Sequence, residues 1–126
     1  MKIIKILLIF FYVLVMFGCK KHPLDYRNKF LGDYTFSVHY SWWIYQQGSF
    51  DTTYSNEGKM EYGSDPHMVR AALSGGDSFE FTVYEDGTIQ GNQCLGEFES
   101  VRKVKFSCYY GGLGGRTNYD VTGDKK

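Results

Sequence analysis

The chain has 126 residues with 14 basic and 14 acidic side chains, so its formal net charge at neutral pH is zero. This length suits one domain, and the charge balance lacks the basic footprint of nucleic-acid binders, so we expect no nucleic-acid partner. Aromatic residues make up 18% of the sequence, and their mixture with Thr, Ser and Gly favours strands over helices.

The N-terminal segment predicts export and lipidation. Two lysines precede an unbroken apolar run over residues 6–17, and a glycine stands directly before Cys19. A membrane-spanning helix needs about 20 apolar residues, whereas the core of a signal peptide needs about 7–15. We therefore predict a helical lipoprotein signal peptide over residues 1–18, cleaved before a lipidated Cys19. Two alternatives stay open: an uncleaved anchor, and cleavage by the ordinary signal peptidase that leaves Cys19 as a free thiol.

Residues 19–29 are polar and contain one proline, so we predict a lipidated tether that leads into a single barrel domain over residues 30–126. A single helical turn around residues 25–30 fits this segment. Without residues 1–18 the chain carries 12 basic and 14 acidic side chains. Stable anchoring takes more than one acyl chain, at about 0.8 kcal/mol per buried CH₂. A di- or triacylated cysteine meets that requirement, so the domain needs no membrane-binding face of its own.

A clean two-residue alternation begins after Asp33. Apolar and aromatic side chains occupy every second position from Tyr34 to Trp42, and polar ones lie between them. That period is typical of a strand with one buried face. Because Trp42 belongs to the first set and Trp43 to the second, we predict that Trp42 is buried and that Trp43 is at least partly exposed.

Turn signals recur roughly every 8–12 residues after this strand and divide the chain into about eight or nine short strands. One turn is expected at the Asn-Glu-Gly of residues 56–58, and another at the glycine-rich residues 111–115. Short connections favour strands that pair in sequence order. We predict an all-β fold, an antiparallel meander of about eight strands that forms a closed or nearly closed barrel, with a β-sandwich as the alternative. A closed barrel also leaves no long strand edge exposed.

Cys94 and Cys108 form an even pair that an exported domain is able to oxidise. If the strands on either side of Val101 form a hairpin centred on that residue, Cys94 lies opposite Cys108 and both point to the apolar face. Directly opposed strand residues bring their Cα atoms to about 4.5–5.5 Å, within reach of a disulfide. This register requires a bulge near residues 91–92. Two buried free thiols are the alternative to a bond.

A resemblance to known bacterial proteins rests on the leader, on the opening FLGDYTFSV and on the closing stretches GEFES, VKFS, GLGG and NYDVTG. Together these are similar to the small lipoproteins of Bacteroidetes envelopes, and GDYTFSV is similar to the first strand of lipocalin-like (calycin-like) barrels. The resemblance implies acyl chains such as palmitate on Cys19 and a place in the bacterial cell envelope, anchored in the outer membrane. It leaves the membrane face open, and its motifs are structural, so it implies no reaction.

The sequence offers no strong catalytic or metal site. His22, His39 and His67 are scattered over tether, strand and turn, without the spacing of metal ligands. No local signature frames a serine as a nucleophile, and a thiol at Cys108 on an apolar face would be inert. The glycine run at residues 111–115 lacks the lysine and the following helix of a phosphate-binding loop. We expect no enzyme activity, no metal and no cofactor.

Binding is the function that the sequence favours. Trp43, Tyr45 and Tyr109 are aromatic residues on faces that are otherwise polar, and exposed aromatics suit sugar rings or protein partners. They form our candidate binding platform; the alternative is that a barrel end or a loop buries them. A second reading is a lipocalin-style carrier or enzyme inhibitor, with a small apolar ligand in the barrel. An open apolar lumen would favour the carrier. A filled lumen with an exposed aromatic patch would favour a protein or glycan partner, or a structural role.

Overall fold

The structure, a computed structural model, describes residues 2–17 and 25–126. An N-terminal helix and a short 3₁₀ helix precede eight antiparallel strands that pair in sequence order and close into a barrel. The elements are α1 (Lys2–Phe17), the 3₁₀ helix (Tyr26–Phe30), β1 (Gly32–Ile44), β2 (Gly48–Tyr62), β3 (Met68–Leu73), β4 (Ser78–Val83), β5 (Thr88–Gly91), β6 (Cys94–Ser100), β7 (Lys103–Gly112) and β8 (Gly115–Lys125). This architecture confirms the all-β meander barrel with a preceding helix, rather than the sandwich, and is compatible with a lipocalin-like fold.

The helix α1 has 16 residues. Within the described ranges, no helix combines the length and the hydropathy that crossing a bilayer requires. Cys19, the predicted site of lipidation, lies outside the described residues.

Alternating side chains build the core of the barrel. The inward residues of each strand are buried, as at Val69 and Ala71 of β3, and their neighbours are more exposed. Rings from distant strands meet in the interior: the centroids of Phe81 and Phe106 are 4.7 Å apart, and both side chains are almost fully buried. Burial of a side chain of this size contributes about 1.5–3 kcal/mol. The buried cluster comprises Phe30, Tyr34, Phe36, Val38, Met60, Val69, Ala71, Leu73, Phe79, Phe81, Val83, Ile89, Cys94, Phe98, Val104, Phe106, Cys108 and Val121.

The strand register around the two cysteines is the predicted one, with Cys94 directly opposite Cys108. The bulge expected near residues 91–92 is wrong. A two-residue turn joins β5 to β6 instead, and both of its residues, Asn92 and Gln93, have positive φ, at 50° and 65°. Such a turn matches the twist of a hairpin. Because the chain reverses within this turn, the turn also determines which face of the sheet each residue of β6 occupies. The strand therefore needs no extra, bulged residue to bring Cys94 to the apolar face.

The strand β2 is uninterrupted, so the turn expected at residues 56–58 is also wrong. Gly58 pairs with Tyr34 of β1 on one side and with Leu73 of β3 on the other. A Cβ atom at Gly58 would lie 2.5 Å from the carbonyl oxygen of Ala72. The glycine therefore permits a close approach of neighbouring strands, and it does not reverse the chain.

The 3₁₀ helix closes one end of the barrel, which we call the plug end. Phe30 is buried, and its ring stacks on that of Phe98 at a centroid distance of 4.1 Å. Arg27 is buried too: its guanidinium pairs with the Asp25 carboxylate at 2.6 Å and lies 4.5 Å from the centroid of the Tyr62 ring. These contacts confirm the expected helical turn and bring the last residues of the predicted tether into the packed fold.

Four strands continue past the barrel at the end opposite the plug. On β2 the pairing with β3 covers only residues 58–62, and on β7 the pairing with β6 ends at Cys108. The strands β2, β1, β8 and β7 stay paired with one another well beyond these points. They form a four-stranded sheet, called the extension, whose inner face overlooks the barrel mouth and whose outer face continues the outside of the barrel. The extension comprises residues 40–44, 48–54, 109–112 and 115–119.

Trp42 lies on the inner face of the extension and is only partly buried, which corrects the prediction of a buried Trp42. The alternation itself holds, since Trp43 lies on the outer face with 48% of its surface exposed. Because β1 runs past the barrel, its last inward residues have no core beneath them. Trp42 instead stacks on Phe50 of β2, with ring centroids 6.1 Å apart.

Candidate binding surfaces

The three aromatic residues of the predicted platform lie near one another at the extension. Trp43 of β1 and Tyr109 of β7 lie on the outer face, on the two strands that flank β8. Arg116 of β8 lies between them: it is directly opposite Trp43 in the register, and its guanidinium carbon is 4.4 Å from the centroid of the Tyr109 ring. Tyr45 follows in the β1–β2 turn, where its ring meets that of Trp43 edge-on at 6.5 Å. All three aromatic side chains are exposed, so a barrel end or loop does not bury them.

A groove runs beside this platform on the outer face. Its volume is about 600 Å³. Arg116 is held in place on its wall, because its Nε donates a hydrogen bond of 2.8 Å to Oδ1 of Asn118. The groove, called the outer groove, is lined by six residues of the outer face and by two of the inner face, Trp42 and Phe50; the six are Ser41, Trp43, Ser49, Asp51, Arg116 and Asn118. It thus places an indole beside carboxylate, amide, hydroxyl and guanidinium groups.

A polar cluster continues the outer face towards the barrel. His39 lies between two carboxylates, 3.8 Å from Asp51 and 3.7 Å from Asp120. The hydroxyl of Ser107 donates to Asp120 over 2.6 Å. The serine thus donates to the carboxylate, whereas a serine nucleophile donates to its base. His39 is about half exposed, which matches its predicted place on a solvated outer face.

The inner face of the extension carries a second aromatic surface that the sequence reasoning assigned to the core. Tyr119 is at its centre: its ring centroid is 5.0 Å from that of Tyr40, 5.1 Å from Phe79 and 6.0 Å from Tyr110. These residues lie at the alternate strand positions that face the core elsewhere in the barrel. Alternation alone therefore predicts that they are buried. The sequence does carry a signal for this exposed surface, which is strand length. The strands on either side of the first turn and of the last turn are longer than the strands in the middle of the chain.

These rings surround a pocket at the barrel mouth, called the mouth pocket, with a volume of about 410 Å³. Asp77, in the β3–β4 turn, contributes a carboxylate that accepts a hydrogen bond of 2.7 Å from the hydroxyl of Tyr54. Burial, followed by this hydrogen bond and the charge of Asp77, raises the pKa of Tyr54. The mouth pocket is lined by Tyr40, Asp77, Ser78, Phe79, Tyr110, Thr117 and Tyr119.

Burial raises the pKa of two other tyrosines at the mouth, Tyr110 and Tyr119, and the charge of Asp77 adds to the effect at Tyr119. Their hydroxyl groups are therefore neutral at physiological pH and act as hydrogen-bond donors and acceptors.

A disulfide joins Cys94 to Cys108 in the structure, with their Cα atoms 4.1 Å apart. It lies just below the mouth, since Cys108 is directly opposite Tyr119 in the register. The bond fastens β6 to β7 at the level where the complete barrel gives way to the extension. Both residues are buried.

Among residues 2–17 and 25–126, no group of three or more His, Cys, Asp or Glu side chains is placed to hold a metal ion. Of the three histidines, His22 lies outside this range. The chain has been compared with protein families, with characterised proteins and with solved structures, and none of them matches it.

Proposed function

We propose that the protein is a lipid-anchored lipoprotein of a bacterial envelope, of the Bacteroidetes type, and that its barrel is a non-catalytic binding domain. The anchor is supported by the short apolar run behind two lysines and by the glycine directly before Cys19. Acyl chains on the sulfur and on the new amino group of Cys19 would hold the protein at the outer membrane.

The ligand that we propose for the binding domain is a glycan in the outer groove. The observation that carries this proposal is the exposed indole of Trp43 beside Arg116, Asp51 and Asn118 in one groove. A pyranose ring has an apolar face that packs on an aromatic ring, and hydroxyl groups at its rim that need donors and acceptors. Arg116 supplies donors, Asp51 supplies acceptors, and Asn118 supplies both.

A protein partner is the second candidate for the same surface, and the size of the groove argues for the glycan. A volume of about 600 Å³ falls in the range of small-molecule sites, about 300–1,000 Å³. A stable protein interface buries roughly 800 Å² on each partner and centres on an apolar patch. Here the rings of Trp42, Trp43 and Phe50 alternate with charged and amide groups, so the lining is not a continuous apolar patch.

The carrier reading is less well supported. A lipocalin-style carrier needs room for an apolar ligand inside the barrel. Phe36, Phe81 and Phe106 occupy the interior with at most 1% of their surfaces exposed, and the 3₁₀ helix closes the plug end. A filled lumen and an exposed aromatic platform together favour an external ligand.

The glycan proposal is tested with the full-length lipidated protein in detergent, applied to an array of neutral oligosaccharides. We expect binding that Trp43→Ala weakens about tenfold, because a stacked aromatic contact is worth roughly 1 kcal/mol or more and 1.4 kcal/mol is a factor of ten. Tyr84→Ala is the matched control, since Tyr84 is 47% exposed and Trp43 48%, but Tyr84 lies near the plug end. Equal losses in the two variants, or no binding to any sugar, would contradict the proposal.

The anchor is tested separately. Cys19→Ser should leave an uncleaved precursor and abolish incorporation of a fatty-acid probe in cells. Retained labelling would show that the lipid is elsewhere and would leave the glycan result untouched.

A further inference from the structure

The mouth pocket has a different chemistry from that of the outer groove. Its walls are the rings of Tyr40, Phe79, Tyr110 and Tyr119, and its one charged lining group is the carboxylate of Asp77. Among the residues that the structure describes, no lysine or arginine lines this pocket. The pocket is therefore electronegative, which disfavours an anionic ligand.

Asp77 differs from most other paired carboxylates of the barrel. Elsewhere they meet basic partners: Asp25 pairs with Arg27, and Glu80 with Arg70. In the described part of the chain Asp77 forms no ion pair, and its carboxylate has the neutral hydroxyl of Tyr54 as its side-chain partner. A partly buried carboxylate that faces a pocket without a basic partner leaves a position that a cationic ligand would occupy.

The tyrosines add to the same preference. The rings around Tyr119 meet it at angles of 47°, 63° and 78°, so they present faces and edges in several directions and form no flat platform. Neutral tyrosine rings have electron-rich faces that attract cations, most strongly where the cation is desolvated. A tilted set of rings suits a compact ion with an apolar shell better than it suits a flat sugar ring.

We propose that the mouth pocket binds an organic ammonium ion, with the positive charge directed at Asp77 and the attached carbon atoms packed against the rings of Tyr110 and Tyr119. This site is separate from the outer groove, which lies on the opposite face of the same sheet. Either a free amine or the ammonium of a lipid headgroup supplies the required chemistry.

The test uses titration calorimetry on the full-length protein in detergent, with two probes of the same shape. Choline carries a quaternary ammonium, and 3,3-dimethylbutan-1-ol replaces its nitrogen with carbon. We expect choline to bind at least tenfold more tightly than the alcohol. Equal affinity for the two probes, or no binding of either, would overturn the proposal.

Three variants assign the binding to this pocket. Asp77→Asn keeps an acceptor for Tyr54 but removes the charge, and it should abolish the preference for choline over the alcohol. Tyr110→Leu should weaken choline binding severalfold, whereas Tyr110→Phe, which keeps the ring face, should stay within about twofold of the parent. Trp43→Ala, in the outer groove, should leave choline binding unchanged. A loss in Trp43→Ala equal to that in Asp77→Asn would place the ligand elsewhere.

Melting curves and near-ultraviolet circular dichroism of each variant show whether the fold is intact.

Phosphocholine distinguishes the two sources of the ion. Its phosphate would be repelled by Asp77 if the whole headgroup entered the pocket, so weaker binding than choline favours a free amine. Equal binding favours a headgroup whose phosphate stays outside. A loss of choline binding in Asp77→Asn with an intact fold supports the site, and unchanged binding in that variant refutes it.

Discussion

Replacing Arg27 by Met should destabilise the barrel more than any other change of a charged side chain that we consider. The substitution keeps an apolar stem of similar length but removes the guanidinium. In the structure that group donates to both oxygens of the Asp25 carboxylate, and to the carbonyl oxygens of Asp65 and Met68 at 3.0 and 2.8 Å. It also lies over the ring of Tyr62.

The expected loss in the free energy of unfolding depends on which hydrogen bonds each partner of Arg27 keeps after the substitution. Breaking a buried ion pair costs about 3–5 kcal/mol. Both carbonyl groups retain a backbone donor, because Met68 N–H donates to Asp65 and Gly63 N–H donates to Met68. The Asp25 carboxylate also retains the backbone N–H of Arg27. We therefore expect a loss at the lower end of that range, about 3 kcal/mol in the free energy of unfolding.

Urea unfolding measures this loss. With a slope of about 2 kcal/mol per molar for a domain of this size, the midpoint should fall by roughly 1.5 M. Arg70→Met is the control: Arg70 pairs with Glu80 and Glu61, but 38% of its side chain is exposed, so its loss should cost less than about 1 kcal/mol. A similar small loss for Arg27→Met, at an unchanged slope, would refute the idea that this ion pair holds the plug in place.

Other predictions concern the disulfide, pH and the extension. The mature protein, unfolded without reductant, should gain no mass from thiol alkylation at Cys94 and Cys108, and reduction should lower the free energy of unfolding by about 3 kcal/mol on the chain-entropy model. Hydrogen bonds from Ser64, followed by one from an arginine, lower the pKa of Glu80 to about 2. Because the folded-state pKa is depressed, the stability that Glu80 contributes is present above its unfolded value of about 4.5 and is lost as pH falls towards 2. Unfolding curves should therefore show the difference between the parent and Glu80→Gln shrinking over that interval, and a difference that grows there would contradict the assignment. Trp42→Ala should cost about 1–2 kcal/mol in urea unfolding, against about 3–5 for Phe106→Ala in the core; equal losses would show that the mouth is as well packed as the core.

Alternation predicted much of the barrel, because burial on one face of a strand leaves a direct period-two record in the sequence. It placed Val69 and Phe106 inside and Trp43 outside, and it set the register of Cys94 against Cys108. The burial of these residues and the register both follow locally from which face of each strand contacts solvent. The fold class follows from them together with the short connections.

The errors arose where one residue type serves two purposes. The sequence predicts Gly58 in a turn, but in the structure this glycine permits close strand contact. The parity of Cys94 predicts a bulge near residues 91–92, although Asn92 belongs to the turn itself, together with Gln93. The sequence predicts that Arg27 belongs to the tether. Nothing in a short polar segment indicates that its guanidinium will be buried against the loop that precedes β3.

The site was harder to predict than the fold for a related reason. Parity identifies the side of a sheet on which a residue lies, but it does not reveal where the opposite wall of the barrel ends. Tyr110 and Trp42 have the parity of core residues, yet the strands across from them are too short to cover them. The mouth pocket therefore becomes visible only when the lengths of all eight strands are compared.

The positions of the plug and the extension determine how far the ligand surfaces lie from the proposed lipid anchor. The described part of the domain begins at Asp25, at the plug end, so the chain enters the barrel at the end opposite the mouth. The 15 residues of β2 span about 50 Å along the strand, or roughly 35–40 Å along an axis tilted as barrel strands are. With the proposed lipid on Cys19 and the barrel standing on its plug end, both ligand surfaces would lie several Debye lengths of about 8 Å from the bilayer. The surface potential of the membrane would then have faded at both surfaces, and this placement favours a free amine over a headgroup of the same membrane as the ion in the mouth pocket.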